Sequence, residues 1–469
     1  MSQRPAHWSD ARPWHTNLAL SLIGLAMIGF TRQLVSEYDH FTIGFSGTSS
    51  SQLVLYLAAI LIFLFKPSNV NRFTFPIILT VAIACRLVVL IPDPVLSSDV
   101  YRYAWDGVVQ HAHISPYRYV PGDKVLTFLR APNQDLFDNM NRRDYAHTIY
   151  PPAAQIMFYL ITFISPTMTF MKLAMVLFEG LTMYGLVKLL NLLGLGREYT
   201  ILYAWFPMVI WEFAGSGHLD SMVIAFMVLA LLFRFRRQPI WTGLFFGVAV
   251  LTKFYPIVLL PALYRRREWK MPVVFGAFCA ALYLPYLSAG KLVFGFLGGY
   301  VQEEGMATGS RYFLLDFAQR LPGLHGLSNA VYLIFAALVL AGLAAWAWFT
   351  TCQDESQPAH FLEPALALAT AMMLLFSPHY PWYVAWLVPF LVLIRSLTVL
   401  TYTLGLFYLC TTALAVGYGP QQYKLNEILY SAVLITFMIE LVLRNFPRTR
   451  EWFRVSGVGT ESVLFPRSL

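Results

Sequence analysis

Apolar windows long enough to cross a hydrocarbon core recur along almost the whole chain, and no other feature restricts its fold so strongly. Such a core needs roughly 17–25 apolar residues per helix, and inside it each segment must satisfy its own backbone polar groups. The windows predict spans near 16–34, 51–66, 73–92, 168–192, 199–215, 219–234, 240–252, 254–264, 271–289, 327–350, 361–377, 383–396, 398–416 and 428–444. Of the 469 residues, 58% are hydrophobic and only 12% charged, against roughly 45–50% apolar and 25% charged in soluble domains. The chain therefore reads as an all-α polytopic membrane protein with about 12–14 spans. The first window follows a short basic tail without a convincing cleavage site and is read as a retained span.

Charge sets the orientation. With both termini inside, nineteen of the 33 Lys/Arg fall to cytoplasmic stretches, including Arg234, Arg236, Arg237, Arg265–Arg267 and Lys270. Thirteen fall to the much longer outer stretches, and Arg86 lies within a span, where snorkelling is the default. This is the asymmetry of the positive-inside rule, so the net charge of +8 points to a membrane and not to nucleic acid. The four cysteines have no zinc or redox spacing, and no Walker A, GxSxG or HExxH sequence occurs.

The predicted organisation is N-terminal spans over 1–92, an extracytoplasmic loop with juxtamembrane helices over 93–166, and central spans over 167–289. A second extracytoplasmic loop covers 290–326, C-terminal spans 327–445 and a cytoplasmic tail 446–469. Residues 240–264 hold two apolar runs too short to span, broken at Thr252-Lys253-Phe254-Tyr255-Pro256, and are read as a pair of short helices with its apex below the outer surface. Residues 151–166 begin Pro151-Pro152 and are read as a short helix in or dipping into the interface.

Polar chemistry gathers at the predicted outer ends. Ser97 or Ser98 can cap a helix on which Asp99, Arg102, Tyr103 and Asp106 share one face. A capping acid and a solvated ion pair explain this pattern as well; beside a membrane, an active site is the sharper expectation. Gly215-Ser216-Gly217-His218-Leu219-Asp220 forms a tip in which Asp220 either caps the next helix or joins a site. Ser377-Pro378-His379-Tyr380-Pro381-Trp382-Tyr383 is either an interfacial aromatic belt or part of that site. Lys253 at bilayer depth costs roughly 2.5–3.5 kcal/mol unless it meets water or an anion, and is read as an anion-binding lysine beside Tyr255. Glu303, Glu304 and Arg311 form a charge run that is solvated by default, with Arg311 a further candidate for an anion.

The stretches Ser98-Asp99-Val100-Tyr101-Arg102-Tyr103, Trp105-Asp106-Gly107, Ser115-Pro116-Tyr117 and Tyr150-Pro151-Pro152 resemble the GT-C membrane glycosyltransferases. So do Glu212 to Asp220, Thr252 to Pro256 and Pro378 to Tyr383, in the same order. The closest likeness is to bacterial mannosyltransferases of the DUF2029 and GT87 kind, with the GPI-anchor mannosyltransferase more distant. The resemblance implies a GT-C-like helix bundle. It also implies transfer of one sugar, mannose first among the candidates, from a polyprenyl-phosphate donor to a lipid-linked or glycan acceptor outside a bacterial plasma membrane. Asp99 matches the catalytic base of such enzymes, with Asp106 beside it. Lys253, Arg102, Tyr255 and Arg311 are candidates for the donor phosphate, and Tyr101, Tyr103, Tyr150, His218, Asp220, His379 and Tyr380 for the substrates. No cofactor is expected, and without an Asp-x-Asp pair a metal has no evident seat. The alternatives are an aminosugar or arabinose transferase, and a lipid or sugar transporter without bond chemistry.

The orientation is tested by cysteines introduced at Asn139 and Ser456. The first labels from outside and the second only after permeabilisation; the opposite pattern inverts the topology.

Overall fold

The computed structural model describes residues 14–36, 43–65, 70–94, 96–353, 358–416, 420–446 and 449. The N-terminal tail and nearly all of the predicted tail 446–469 lie outside them. The secondary structure of the described residues is helical, joined by turns and loops, without strands. The main helices are α1 (Trp14–Ser36), α2 (Ile43–Phe65), α3 (Thr74–Leu90), α4 (Asp99–His111), α5 (Pro152–Ile164), α6 (Met168–Leu192), α7 (Asp220–Phe235), α8 (Pro239–Thr252), α9 (Lys270–Tyr283), α10 (Asn329–Gln353), α11 (Leu362–Phe376), α12 (Leu397–Val416) and α13 (Pro420–Asn445). Five helical segments are long and apolar enough to cross a membrane, and Pro207–Gly215 with α7 makes a sixth, bent by 118°. Seven shorter apolar helices accompany them. Leu338, Phe349 and Ile334 on α10 are 67%, 62% and 60% exposed, apolar surface of the kind a hydrocarbon core covers. The chain is a multi-pass membrane protein.

Helix α7 packs against α6 and α8, α8 against α9, and α1 against α2 and α3, while α4 lies along α5. Gly107 permits that last contact: a Cβ there would stand 2.6 Å from the Phe158 carbonyl oxygen. Between α6 and α7 the chain breaks at Pro207 and runs as a π-helix over Ile210–Gly215, buried against α3. Tyr56 on α2 donates to the Leu202 carbonyl at 2.8 Å, and Trp205 Nε1 donates to the Ile78 carbonyl at 2.8 Å. The first bond takes up a carbonyl of the short segment before the break, and the second ties Trp205 to α3.

The short-helix pair departs from expectation in its second limb, which is a 3-10 turn, Tyr255–Leu259, followed by a single α-turn, Leu260–Leu263. Pro256 and Pro261 lack the N–H groups a regular helix would need there. Arg234 Nε at the end of α7 donates to the Leu263 carbonyl at 2.7 Å, so the limb returns to the end from which α8 departs.

Arg86 does not snorkel. It is 7% exposed and gives Nε and Nη2 to Glu179 Oε1 at 3.0 and 2.6 Å. Its Nη1 donates to the Ala82 and Ala204 carbonyls at 3.0 and 2.8 Å, joining α3, α6 and the chain entering the π-helix. Glu179 lies in the middle of α6, where a snorkelling arginine would leave it uncompensated. Glu304 also departs from the solvated reading: it is buried and paired with Arg311.

Breaking one partner of a buried ion pair costs about 3–5 kcal/mol, whereas replacing both with apolar residues is often close to neutral. Arg86→Met alone should therefore lower the melting temperature in detergent more than Arg86→Met with Glu179→Met. Equal losses would mean that the pair is not coupled.

Candidate active site

The polar residues meet where helices stop. After the π-helix, Gly217 turns the chain at a φ of 73°, and a Cβ there would lie 2.9 Å from Val100 and 3.1 Å from Lys172. The His218 N–H donates to the Glu212 carbonyl at 3.0 Å, and α7 then begins. Asp220 opens α7 without capping it, because its carboxylate is engaged elsewhere. Lys253 Nζ donates to Asp220 Oδ2 at 2.6 Å and the Tyr255 hydroxyl to Oδ1 at 2.9 Å. Lys253 reaches this position because α8 ends at Thr252, leaving it extended at φ −146°, ψ 142°. The 3-10 turn then starts at Tyr255, with Pro256 at its second position. The Lys253 side chain is 14% exposed and that of Asp220 fully buried. The lysine at depth thus has an internal anion, which the spacing of the sequence did not reveal.

An aromatic wall completes this end. Lys253 Nζ lies 4.8 Å over the Tyr383 ring, and Tyr255 packs on Trp386 at 4.8 Å. The Tyr383 and Tyr300 hydroxyls share a hydrogen bond of 2.6 Å, which brings the second long loop to the site. Trp382 stacks on His218 at 3.9 Å and on Tyr380 at 4.5 Å. His218 is fully buried, so it supports Trp382 and is closed to a substrate as the structure stands. Its Nε2 is 3.4 Å from Glu212 Oε2, without hydrogen-bond geometry.

Helix α4 supplies the other end. Ser97 Oγ accepts the Asp99 N–H at 3.2 Å, while Ser98, at the N-cap position, makes no side-chain cap bond. The shared face predicted for Asp99, Arg102, Tyr103 and Asp106 separates into distinct environments. Asp106 is 1% exposed and both its oxygens are engaged: Arg102 Nε donates to Oδ1 at 2.8 Å and Gln155 Nε2 to Oδ2 at 2.9 Å. Arg102 also donates to the Ala146 carbonyl at 3.1 Å, and Gln155 to Thr148 Oγ1 at 2.8 Å. Asp106 and Arg102 therefore bind the first long loop to α5; both Asp106 oxygens are committed, whereas Arg102 Nη2 is buried without a hydrogen-bond partner. Tyr101 is 6% exposed, and burial, with Asp93 and Asp135 adding, pushes its phenol up to about 12. It packs in the loop core and not in the site.

Asp99 is only half-buried, and its Oδ1 accepts from Asn141 Nδ2 at 2.8 Å. Tyr103 stacks on Phe158 at 4.7 Å and meets Tyr150 edge-on at 4.9 Å. Its hydroxyl is buried without a hydrogen-bond partner. Burial raises the Tyr103 phenol well above its ordinary range, and Tyr150, Asp99 and Asp220 push it further the same way. Tyr103 thus feels both carboxylates, the half-open Asp99 and the buried partner of Lys253. Burial also raises the Tyr150 phenol, with Asp99 adding.

Arg311 has partners of its own. It is buried, paired with Glu304, and donates from Nε to the Phe376 carbonyl at 3.1 Å. Together with His379, Ser377, Tyr402 and Tyr430 it lines a cavity of about 70 Å³. An apolar cleft of about 450 Å³ shares Phe313 and Tyr430 with that cavity and runs between α10, α11 and α13. Among the described residues, no three His, Cys, Asp or Glu side chains gather as a metal site would require.

Glu212, Trp382 and Tyr383 stand inside the sequence motifs but were not singled out. Asn141, Gln155 and Tyr300 carried no signal at all, because ordinary loop and helix polarity accounts for each of them.

No curated relative and no solved structure matches the chain. Residues 48–265 match the MptA_B family, described as alpha-(1->6)-mannopyranosyltransferase, N-terminal domain. That stretch carries Asp99, Asn141, Asp220, Lys253 and Tyr255. The match covers somewhat less than half of the chain; it supports a membrane glycosyltransferase, a mannosyltransferase of the GT-C kind, over the transporter alternative.

Proposed function

We propose that the protein transfers one mannose from a polyprenyl-phosphate donor to a lipid-linked or glycan acceptor on the extracytoplasmic side of a bacterial plasma membrane, with Asp99 as general base. The observation that carries this reading is that Gly217, in the turn leading into Asp220, packs against Val100 beside Asp99, which makes the Lys253–Asp220 pair and Asp99 parts of adjoining turns. We read Asp99 as the base for the acceptor and Lys253 as the cation for the leaving phosphate of one substrate pair. The matched family's description points to an α-(1→6) linkage.

In the reaction, Asp99 takes the proton of the acceptor hydroxyl as that oxygen attacks the anomeric carbon. The carbon–oxygen bond to the phosphate breaks, and the electron pair leaves on the polyprenyl phosphate. Charge grows on the phosphate in this step, so a preorganised cation stabilises the transition state more than the ground state. Asp220 and Tyr255 hold the Lys253 ammonium at one place, and the donor phosphate then competes with Asp220 for it. A single displacement inverts the anomeric centre, so an α product requires a β-linked donor. Tyr150 and Tyr380 are the aromatic candidates for contact with the sugar. The apolar cleft beside Arg311 suits a lipid tail, since its lining is almost wholly apolar.

Purified enzyme in liposomes, supplied with a panel of polyprenyl-phosphate sugars, should yield a product one hexose heavier only with the mannose donor. Asp99→Asn keeps the side-chain shape and removes the base, so turnover should fall by about 10²–10⁴ while donor binding persists. A native rate in the folded variant overturns the assignment of the base.

Lys253→Gln should raise the donor concentration needed for half-maximal rate and lower the maximal rate. An unchanged donor titration would leave Lys253 as no more than the counter-ion of Asp220.

A further inference from the structure

A general base works only if one carboxylate oxygen is held toward the hydroxyl it must deprotonate, and an acid at the first position of a helix is not held by the helix itself. In this protein the restraint comes from outside α4. Asn141 Nδ2 donates to Asp99 Oδ1 at 2.8 Å, and among the described residues Oδ2 has no donor. A neutral amide fixes the carboxylate without neutralising it, which an arginine at the same place would do.

Such an arginine is next in the chain. Arg142 adopts a left-handed φ of 53°, and its backbone carbonyl accepts the Ala146 N–H at 3.1 Å. Its guanidinium turns to the second long loop, where Nε donates to Glu303 Oε2 at 2.7 Å. The same guanidinium lies 5.9 Å over the ring of Tyr300. Burial disfavours the Arg142 charge, but Glu303 and then Asp99 outweigh it and raise the guanidinium above its ordinary range. Asp99 is therefore within electrostatic reach of Arg142, and Glu303 is the competing anion. Glu303 and Tyr300 lie one turn apart on the short helix Leu297–Glu303, and Tyr300 bonds to Tyr383 beneath Lys253. The contacts form one continuous path from Asp99 to Lys253.

We propose that Asn141 is the positioning residue of Asp99, and that Glu303 keeps Arg142 from pairing with the second oxygen of that base. The proposal rests on the reading of Asp99 as the base. It gives the second long loop a specific role: the loop keeps the base free by holding a neighbouring cation away from it.

The test uses the full-length enzyme in liposomes, with donor binding measured separately as the check on folding. Asn141→Ala should lower kcat by about 10- to 100-fold, the scale of a misplaced reacting group, with the donor titration unchanged. In the Asp99→Asn background the same substitution should cost nothing further. Glu303→Gln should lower kcat several-fold by releasing Arg142, and adding Arg142→Gln should restore it. A merely structural ion pair would show no such recovery. If Asn141→Ala fails to accumulate, Asn141→Ser carries the same expectation. A native kcat for the Asn141 variant, an equal loss in the Asp99→Asn background, or no recovery on adding Arg142→Gln each overturns the proposal. If Asp99→Asn alone turns over at the native rate, the reading of the base has failed instead.

Discussion

The ion pair of Lys253 with Asp220, closed by Tyr255, is the interaction around which the rest of the site is arranged. Its existence follows from a constraint of the membrane. Within an apolar core a helix can break only where other groups satisfy the freed backbone and where any charge finds a partner. The chain breaks at the π-helix before Gly217, after Thr252 and at the turn Pro381–Tyr383, and these breaks meet. A lone lysine at the end of α8 would be costly, as would a lone aspartate at the start of α7. Together they are tolerable, and Tyr255 takes up the remaining carboxylate oxygen. The cost of desolvation keeps such a pair from adding much to stability. Its value lies in a cation fixed at one place, which the proposed leaving phosphate can use.

Three carboxylates near this site differ by environment and not by chemistry. Asp106 has both oxygens occupied and holds the first long loop to α5. Asp220 is equally buried but pairs with Lys253, the cation that the proposed donor phosphate would contest. Asp99 is half-exposed with one oxygen uncommitted, the state a general base requires. Divergent surroundings for like groups are a frequent way of assigning acid, base and structural roles. Here the assignment depends on neighbours from α5, from the 140–146 turn and from the break after α8.

The sequence determined a great deal about this protein. Apolar windows placed α6 over 168–192 to the residue, because a bilayer requires helices of that length and composition. Ser97 and Asp99 marked the start of α4, and Pro256 marked a helix break, since these are local backbone effects. The motifs around Asp99, Asp220 and Lys253 pointed to a GT-C enzyme, and the matched family agrees. Partnership was decided only in three dimensions. Nothing in sequence spacing pairs Arg86 with Glu179, Lys253 with Asp220, or Asp99 with Asn141, because each pair is joined by packing between segments distant in the chain. The face shared by Asp99 and Asp106 was a correct helical projection, yet α5 covers one acid and leaves the other half-open. Helical periodicity states which residues lie side by side; only the neighbouring elements determine which of them meets water, a counter-charge or a substrate.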